Sequence, residues 1–353
     1  MPREINGMTY VDMVFPAFLF VMGMSIPVST GRRIAAGDSK GKIALHLLVR
    51  SLSLVVLGLF IANGPQVDAV HTHISTVAWD IFGFLAIALL WGNFFSASNK
   101  SLRNFAKAAG LVLSLFLAAS FRRVAPGGSV HWLDFSDWEI LGLLGWAYLL
   151  VGSLYLLFSK NLAILFASLA ALCALNVLSV AGWFDALKHL PPFVQPFEAG
   201  LSSMTLAGLL TYQLIFGDAF STNPRTKLYA TAIFAFLLAL AGWLLTPFGI
   251  SKLRDTPTWC LYSSAANVLI ALVLHVFVDR GAPAKWTRVF REVGANALLA
   301  YMLAYVAYFV PLLFHLTADG TSGAYGVLRS ALFAGLILVL TVAATRMKFR
   351  LQV

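Results

Sequence analysis

The chain has 353 residues, of which 59% are hydrophobic and only 11% charged, with a mean hydropathy of +0.82. So few charges cannot cover a soluble domain of this size. The net charge of +10 comes from basic residues in short connecting stretches rather than on one soluble face, which argues against a nucleic-acid partner and for positive-inside sorting in a lipid bilayer.

Apolar runs recur from end to end, each near the roughly 20 residues that a helix needs to cross a hydrocarbon core. They fall near 11–30, 43–63, 79–97, 105–120, 138–159, 161–184, 199–217, 228–247, 259–279, 293–315 and 325–345. The expected fold is therefore all-α, a polytopic integral membrane protein of about 11 transmembrane helices forming a single domain over 1–353. The alternating ten-residue segments of a membrane barrel are not visible.

The first run begins in "INGMTYVDMVFPAFLFVMGMSI", Ile5 to Ile26, and carries Asp12 at its edge. Arg32, Arg33, Lys40 and Lys42 follow, and the second run holds His46 and Arg50 one turn apart. Such a basic cluster suits an anionic cofactor such as a phosphorylated acyl donor. It suits anionic lipid head groups equally well. "HTH" at His71–His73 lacks helical ligand spacing and a nearby Cys or carboxylate, so no metal is expected there.

Asp80 opens the third run and Glu139 the fifth. A carboxylate in a helix's first turn meets the positive end of the dipole. The alternative is that Asp12, Asp80 and Glu139 converge on an outward-facing cavity. "WDIFGFLAIALL" at Trp79–Leu90 and "WEILGLLGWAYL" at Trp138–Leu149 echo each other in register, through either chance or a duplicated hairpin pair. "HWLDFSDWE", His131 to Glu139, could hold a sugar by stacking and hydrogen bonding or form an interfacial aromatic belt. Cys173 and Cys260 lie in or at apolar runs with no CxxC pair, so neither a disulfide framework nor a metal site is expected. His275 lies in the inner half of a later run. "GANALLAY", Gly294–Tyr301, puts Asn296 inside an apolar run, followed by Tyr301, Tyr305 and Tyr308. An Asn in lipid must find partners, so it should face the helix bundle, toward either a substrate or another helix.

Lys and Arg alternate between the two sets of loops. Seventeen, from Arg32 to the Arg346, Lys348 and Arg350 tail, fall on one side, against six on the other: Arg3, Arg122, Arg123, Lys188, Lys252 and Arg254. The expected orientation puts the C-terminus in the cytoplasm and the N-terminus outside.

"NGMTYVDMVFPAFLFVMGMSIPVS" resembles the start of the membrane acyltransferase family of heparan-α-glucosaminide N-acetyltransferase, especially its bacterial members. Gly7, Thr9, Asp12, Val14, Phe15, Pro16, Phe18, Gly23, Ser25 and Ile26 meet the family pattern. A basic loop and an Arg-bearing second span follow as in the family, and "GANALLAY" resembles its later Gly-x-Asn motif. The specific match is confined to about the first thirty residues.

The resemblance implies that acetyl-CoA on the cytoplasmic side supplies an acetyl group to the amine of an amino sugar on the outer side. It implies a bacterial cytoplasmic (inner) membrane location, makes a homodimer plausible and requires no metal. The candidate outer-side residues are Asp12, Asp80, His131, Glu139 and Asn296, and the candidate acetyl-CoA residues are Arg32, Arg33, His46 and Arg50. A histidine, as acetyl carrier or general base, is essential in that family. There it stands a few residues before the Asn-Gly pair, after a helix with an Arg-Gly motif. Here Pro2 lies four residues before Asn6, and the first histidine is His46. The catalytic residue is thus unassigned, and the expectation is that Met1 is an internal methionine; the alternative is a truncated or inactive relative. Two other functions compete: a transporter or flippase for a small polar or sugar-linked substrate, and a membrane scaffold.

Reading the gene in frame upstream of Met1 is expected to reveal a further apolar helix and a histidine close to Arg3. A stop codon immediately upstream would contradict this.

Overall fold

The computed structural model describes residues 6–92, 100–135, 139–185, 199–218, 220–280, 287–313 and 323–351, and most of them are helical. A 3-10 turn, Tyr10–Met13, leads into α1 (Val14–Ala35), followed by α2 (Lys40–Asn63), the short α3 (Ala69–Thr72), α4 (Thr76–Trp91) and α5 (Lys100–Ser120). After a small antiparallel pair, β1 (Arg123–Val124) and β2 (Val130–His131), come α6 (Glu139–Phe158), α7 (Leu162–Val180), α8 (Ala199–Ile215) and α9 (Pro224–Leu244). The series ends with α10 (Pro257–Leu274), which continues as a π turn over His275–Asp279, then α11 (Thr287–Gly294), α12 (Ala297–Leu313) and α13 (Gly323–Arg346).

Each of the expected apolar runs coincides with one of these helices, and α3 and α11 are additional. Local signals set the helix ends. Ser75, Asn161 and Asn223 accept backbone N–H bonds at the starts of α4, α7 and α9, and Pro224 and Pro257 open α9 and α10 where a missing N–H costs nothing. Eight helical segments among the described residues are long and apolar enough to cross a membrane. Among the described residues, α4, α8 and Ala297–Ala307 of α12 are apolar but shorter. At 17 residues, α8 is about 25 Å long, short of a full hydrocarbon core.

The chain divides into two compact units: residues 1–58 with 135–282, and Leu59–Asp134 with Pro283–Val353. The first is built around α8, which packs against α1, α6, α7, α9 and α10. Along α8 every residue except Tyr212 is buried. Ser203, Thr205 and Thr211 return their hydroxyls to carbonyls of their own helix, so these polar side chains enter the core with partners. A Cβ on Gly23 of α1 would collide with the Thr205 carbonyl oxygen, and one on Gly208 would collide with that of Phe20. The α1 and α8 backbones therefore touch, as helices do in lipid where packing rather than water expulsion drives association.

The second unit has Trp79 at its centre, stacked on Phe60 and edge-on to Phe121, with its indole N–H donated to the Leu117 carbonyl. Asn63 is buried; its amide donates to the Leu59 and Asp134 carbonyls and its oxygen accepts the Asp134 N–H. Exposed apolar side chains line α5 (Phe105, Val112, Leu115), α9 (Ile233, Phe236, Leu237) and α13 (Leu332, Leu336, Val339). Surfaces of that composition belong in a lipid bilayer.

Gly23→Ala and Gly208→Ala should each cost about 1–3 kcal/mol by overpacking, read as a lower thermal midpoint in detergent. Gly31→Ala on the same helix, whose added Cβ meets nothing, should cause no loss. Equal loss in all three would contradict the close α1–α8 crossing.

Candidate functional site

In the first unit the opening motif is docked rather than free. The Asn6 side-chain oxygen accepts the Ile250 N–H at 2.6 Å, and the Gly7 N–H donates to the Ile250 carbonyl at 2.9 Å. Asp12 folds back on the same segment, accepting both the backbone N–H and the hydroxyl of Thr9 at 2.8 Å. Its carbonyl accepts the Trp259 indole N–H at 3.2 Å. Glu139 is the first residue of α6, with φ +51°, and its carboxylate accepts the Leu141 N–H at 3.0 Å. Both carboxylates therefore serve the starts of their helical segments.

Asp80, His131 and Asn296 belong to the second unit. Asp80 is 7% exposed; one carboxylate oxygen presses on Gly64, and the other has no partner. It lines a cavity of about 10 Å³ with Phe60, Ile61, Trp79, Gly83, Phe84 and Ile87, room for about one water-sized group. His131 is exposed on β2 and bonds to the Ser129 hydroxyl at 2.8 Å. Residues 136–138 of the "HWLDFSDWE" stretch, like His189, His315 and the Tyr308 side chain, lie outside the described residues. Asn296 is 1% exposed. Its amide donates to the Thr345 hydroxyl and the Phe349 carbonyl, and its oxygen accepts the Leu351 N–H. That side chain thus pins the C-terminal tail.

The basic residues of the first unit separate into three settings. Arg32 is exposed. Arg33 pairs with Asp38 at 3.1 Å, and Lys42 approaches the same carboxylate at 4.0 Å. Arg50 lies within α2, one turn beyond the half-buried His46, with its guanidinium 4.9 Å from the centre of the Tyr148 ring. The Arg50 Nε, the Ser51 hydroxyl and the Tyr148 hydroxyl are all buried without hydrogen-bond partners. An arginine N–H and two hydroxyls left unsatisfied inside an apolar bundle are costly unless something else engages them. Nothing in the sequence pattern singles out Ser51 or Tyr148, although Tyr148 lies in the "WEILGLLGWAYL" echo.

A second buried polar group also escapes sequence reasoning. The Cys260 thiol donates to the Asp255 carboxylate at 3.3 Å and lies 3.6 Å from the donating Asn176 amide. All three crowd the Cα of Gly200 so closely that a Cβ there would fall 2.6–2.8 Å from them. Burial pushes the Asp255 carboxyl up to about 6. Among the described residues, no group of three or more His, Cys, Asp or Glu is arranged to hold a metal ion.

Fold and site together define an all-α integral membrane protein with polar clusters held inside its helix packing. The chain belongs to the family described as Domain of unknown function (DUF5009), which matches residues 1–181. Over 58 residues, 16% of this chain, it is 41% identical to heparan-alpha-glucosaminide N-acetyltransferase of Mus musculus. It is 40% identical over 58 residues to the protein of the same name from Homo sapiens. The match spans 9% of the length of each relative.

The raised Asp255 value means that the folded protein holds this proton more tightly than the unfolded chain does. Stability from the group is full below about pH 4 and is lost as pH rises through about 6, a difference of about 3 kcal/mol. The thermal midpoint should therefore fall between about pH 4 and pH 7, and the fall should shrink in Asp255→Asn. An identical pH profile in the variant would contradict this assignment.

Proposed function

We propose that the chain is an acyltransferase core in a bacterial cytoplasmic membrane. It would move an acetyl group from acetyl-CoA on the cytoplasmic side to the amine of an amino sugar on the outer side. The observation that carries this reading is the similarity over 58 residues to two N-acetyltransferases. The unsatisfied Arg50, Ser51 and Tyr148 groups support it. They supply a cation and two hydroxyl donors, a set that fits the carbonyl and phosphate oxygens of such a donor. Acetyl-CoA, when bound, brings an activated thioester. Arg50 would neutralise negative charge, while Ser51 and Tyr148 would orient an oxygen in a space that excludes water. Arg33, held by Asp38, and Arg32 would form the entry for the anionic end. Asp12 and Glu139 would act by fixing helix starts in this unit.

Membranes containing the gene's full-length product, given radiolabelled acetyl-CoA and an amino sugar, should yield the acetylated sugar. Arg50→Ala should reduce the rate by about 10–100-fold, and Tyr148→Phe by up to about tenfold. Uptake of unmodified sugar without acetyl transfer would overturn the reading and favour a transporter.

A further inference from the structure

A cavity of about 390 Å³ opens in the first unit where the α1–α2 turn meets the α6–α7 turn. This volume is in the range of small-molecule sites, roughly 300–1,000 Å³. Its floor is apolar, with Ile43, Leu156 and Phe158, and its walls carry Lys40 and Lys160. Lys40 is the first residue of the 24-residue α2, and Asn161 caps the 19-residue α7. Two long helices thus direct the positive ends of their dipoles at one space. Asp38 lines the cavity as well, but its carboxylate is already engaged by Arg33 and Lys42. Arg33 and Lys42 are the cations paired with Asp38, while Lys40 and Lys160 line the cavity.

An apolar floor beneath a cationic rim has the chemistry of an amphiphile with a phosphate head. We propose that this cavity binds the phosphate-bearing head of such a molecule, with Lys40 and Lys160 on the phosphate and the attached apolar part against Ile43, Leu156 and Phe158. Lys40 belongs to the basic cluster that the sequence already offers to an anionic donor or lipid, Lys160 does not, and the cavity is separate from the Arg50–Tyr148 pair. The same chemistry is offered by two sources, a soluble pantetheine-linked nucleotide and an anionic phospholipid. The proposal stands without the acetyl-transfer reading, since either source satisfies it.

The test uses the purified full-length protein in phosphatidylcholine nanodiscs. Binding of CoA is measured by calorimetry, and retention of phosphatidylglycerol by native mass spectrometry. The Lys40→Ala/Lys160→Ala double variant should weaken whichever ligand binds by about tenfold or more. Lys100→Ala/Lys107→Ala, which removes the same charge from α5, should leave binding unchanged. Dependence of CoA alone on the two lysines assigns the cavity to a soluble donor, and dependence of phosphatidylglycerol alone assigns it to a lipid; either supports the proposal. Binding of neither ligand to the wild type, or equal weakening by both double variants, would overturn it. Acetyl transfer that persists while CoA affinity ignores Lys40 and Lys160 would remove this site and leave the catalytic reading intact.

Discussion

A carbonyl oxygen resting on a Cα leaves no room for a side chain, and that constraint at Gly23 and Gly208 governs the first unit. It brings α1 and α8 into backbone contact and lets α8, short for a membrane span, sit buried along nearly its whole length. Because α8 meets other helices rather than lipid on its faces, its Ser and Thr hydroxyls bond to its own carbonyls. The surrounding helices α6, α7, α9 and α10 then present their remaining apolar faces outward, where a bilayer supplies the solvent.

Against that background of satisfied polar groups, the unsatisfied ones stand out. Among the described residues, the Arg50 Nε, Ser51 Oγ, Tyr148 Oη and Ser263 Oγ of the first unit, and one Asp80 oxygen of the second, lack partners. An intramembrane cation with idle donors beside it is expensive to maintain, and such groups mark the sites of chemistry or passage in membrane proteins. Asn296 and Asn176 show the contrasting case. Asn296, expected inside a span, sits in the turn between α11 and α12 and gives its amide to Thr345 and Phe349, and Asn176, buried within α7, donates to the Cys260 sulfur. A buried polar residue is therefore informative only once its partners are known.

The helical architecture was legible in the sequence because length and hydropathy alone set membrane segments. The site was legible only in part. Arg50 could be found, since a charge inside an apolar run is rare. Ser51 and Tyr148 could not, because their significance lies in a missing partner across two helices, α2 and α6, distant in sequence. Asp12, Asp80 and Glu139 look alike in the sequence as first-turn carboxylates, yet Asp12 and Glu139 are occupied by local N–H groups while Asp80 is packed on Gly64. The pairing of Asp255 with Cys260 is hidden for the same reason: a hydrogen bond between a loop carboxylate and a thiol in a span leaves no periodic trace.

Transfer of an acetyl group from one face of a membrane to an amine on the other is the central claim, and sidedness tests it most directly. The full-length protein would be sealed into vesicles with an amino sugar trapped inside and radiolabelled acetyl-CoA supplied outside. The account predicts acetylated sugar in the lumen while acetyl-CoA stays outside. Label that appears only when donor and sugar share a compartment, or sugar that leaves the lumen unmodified, would contradict it.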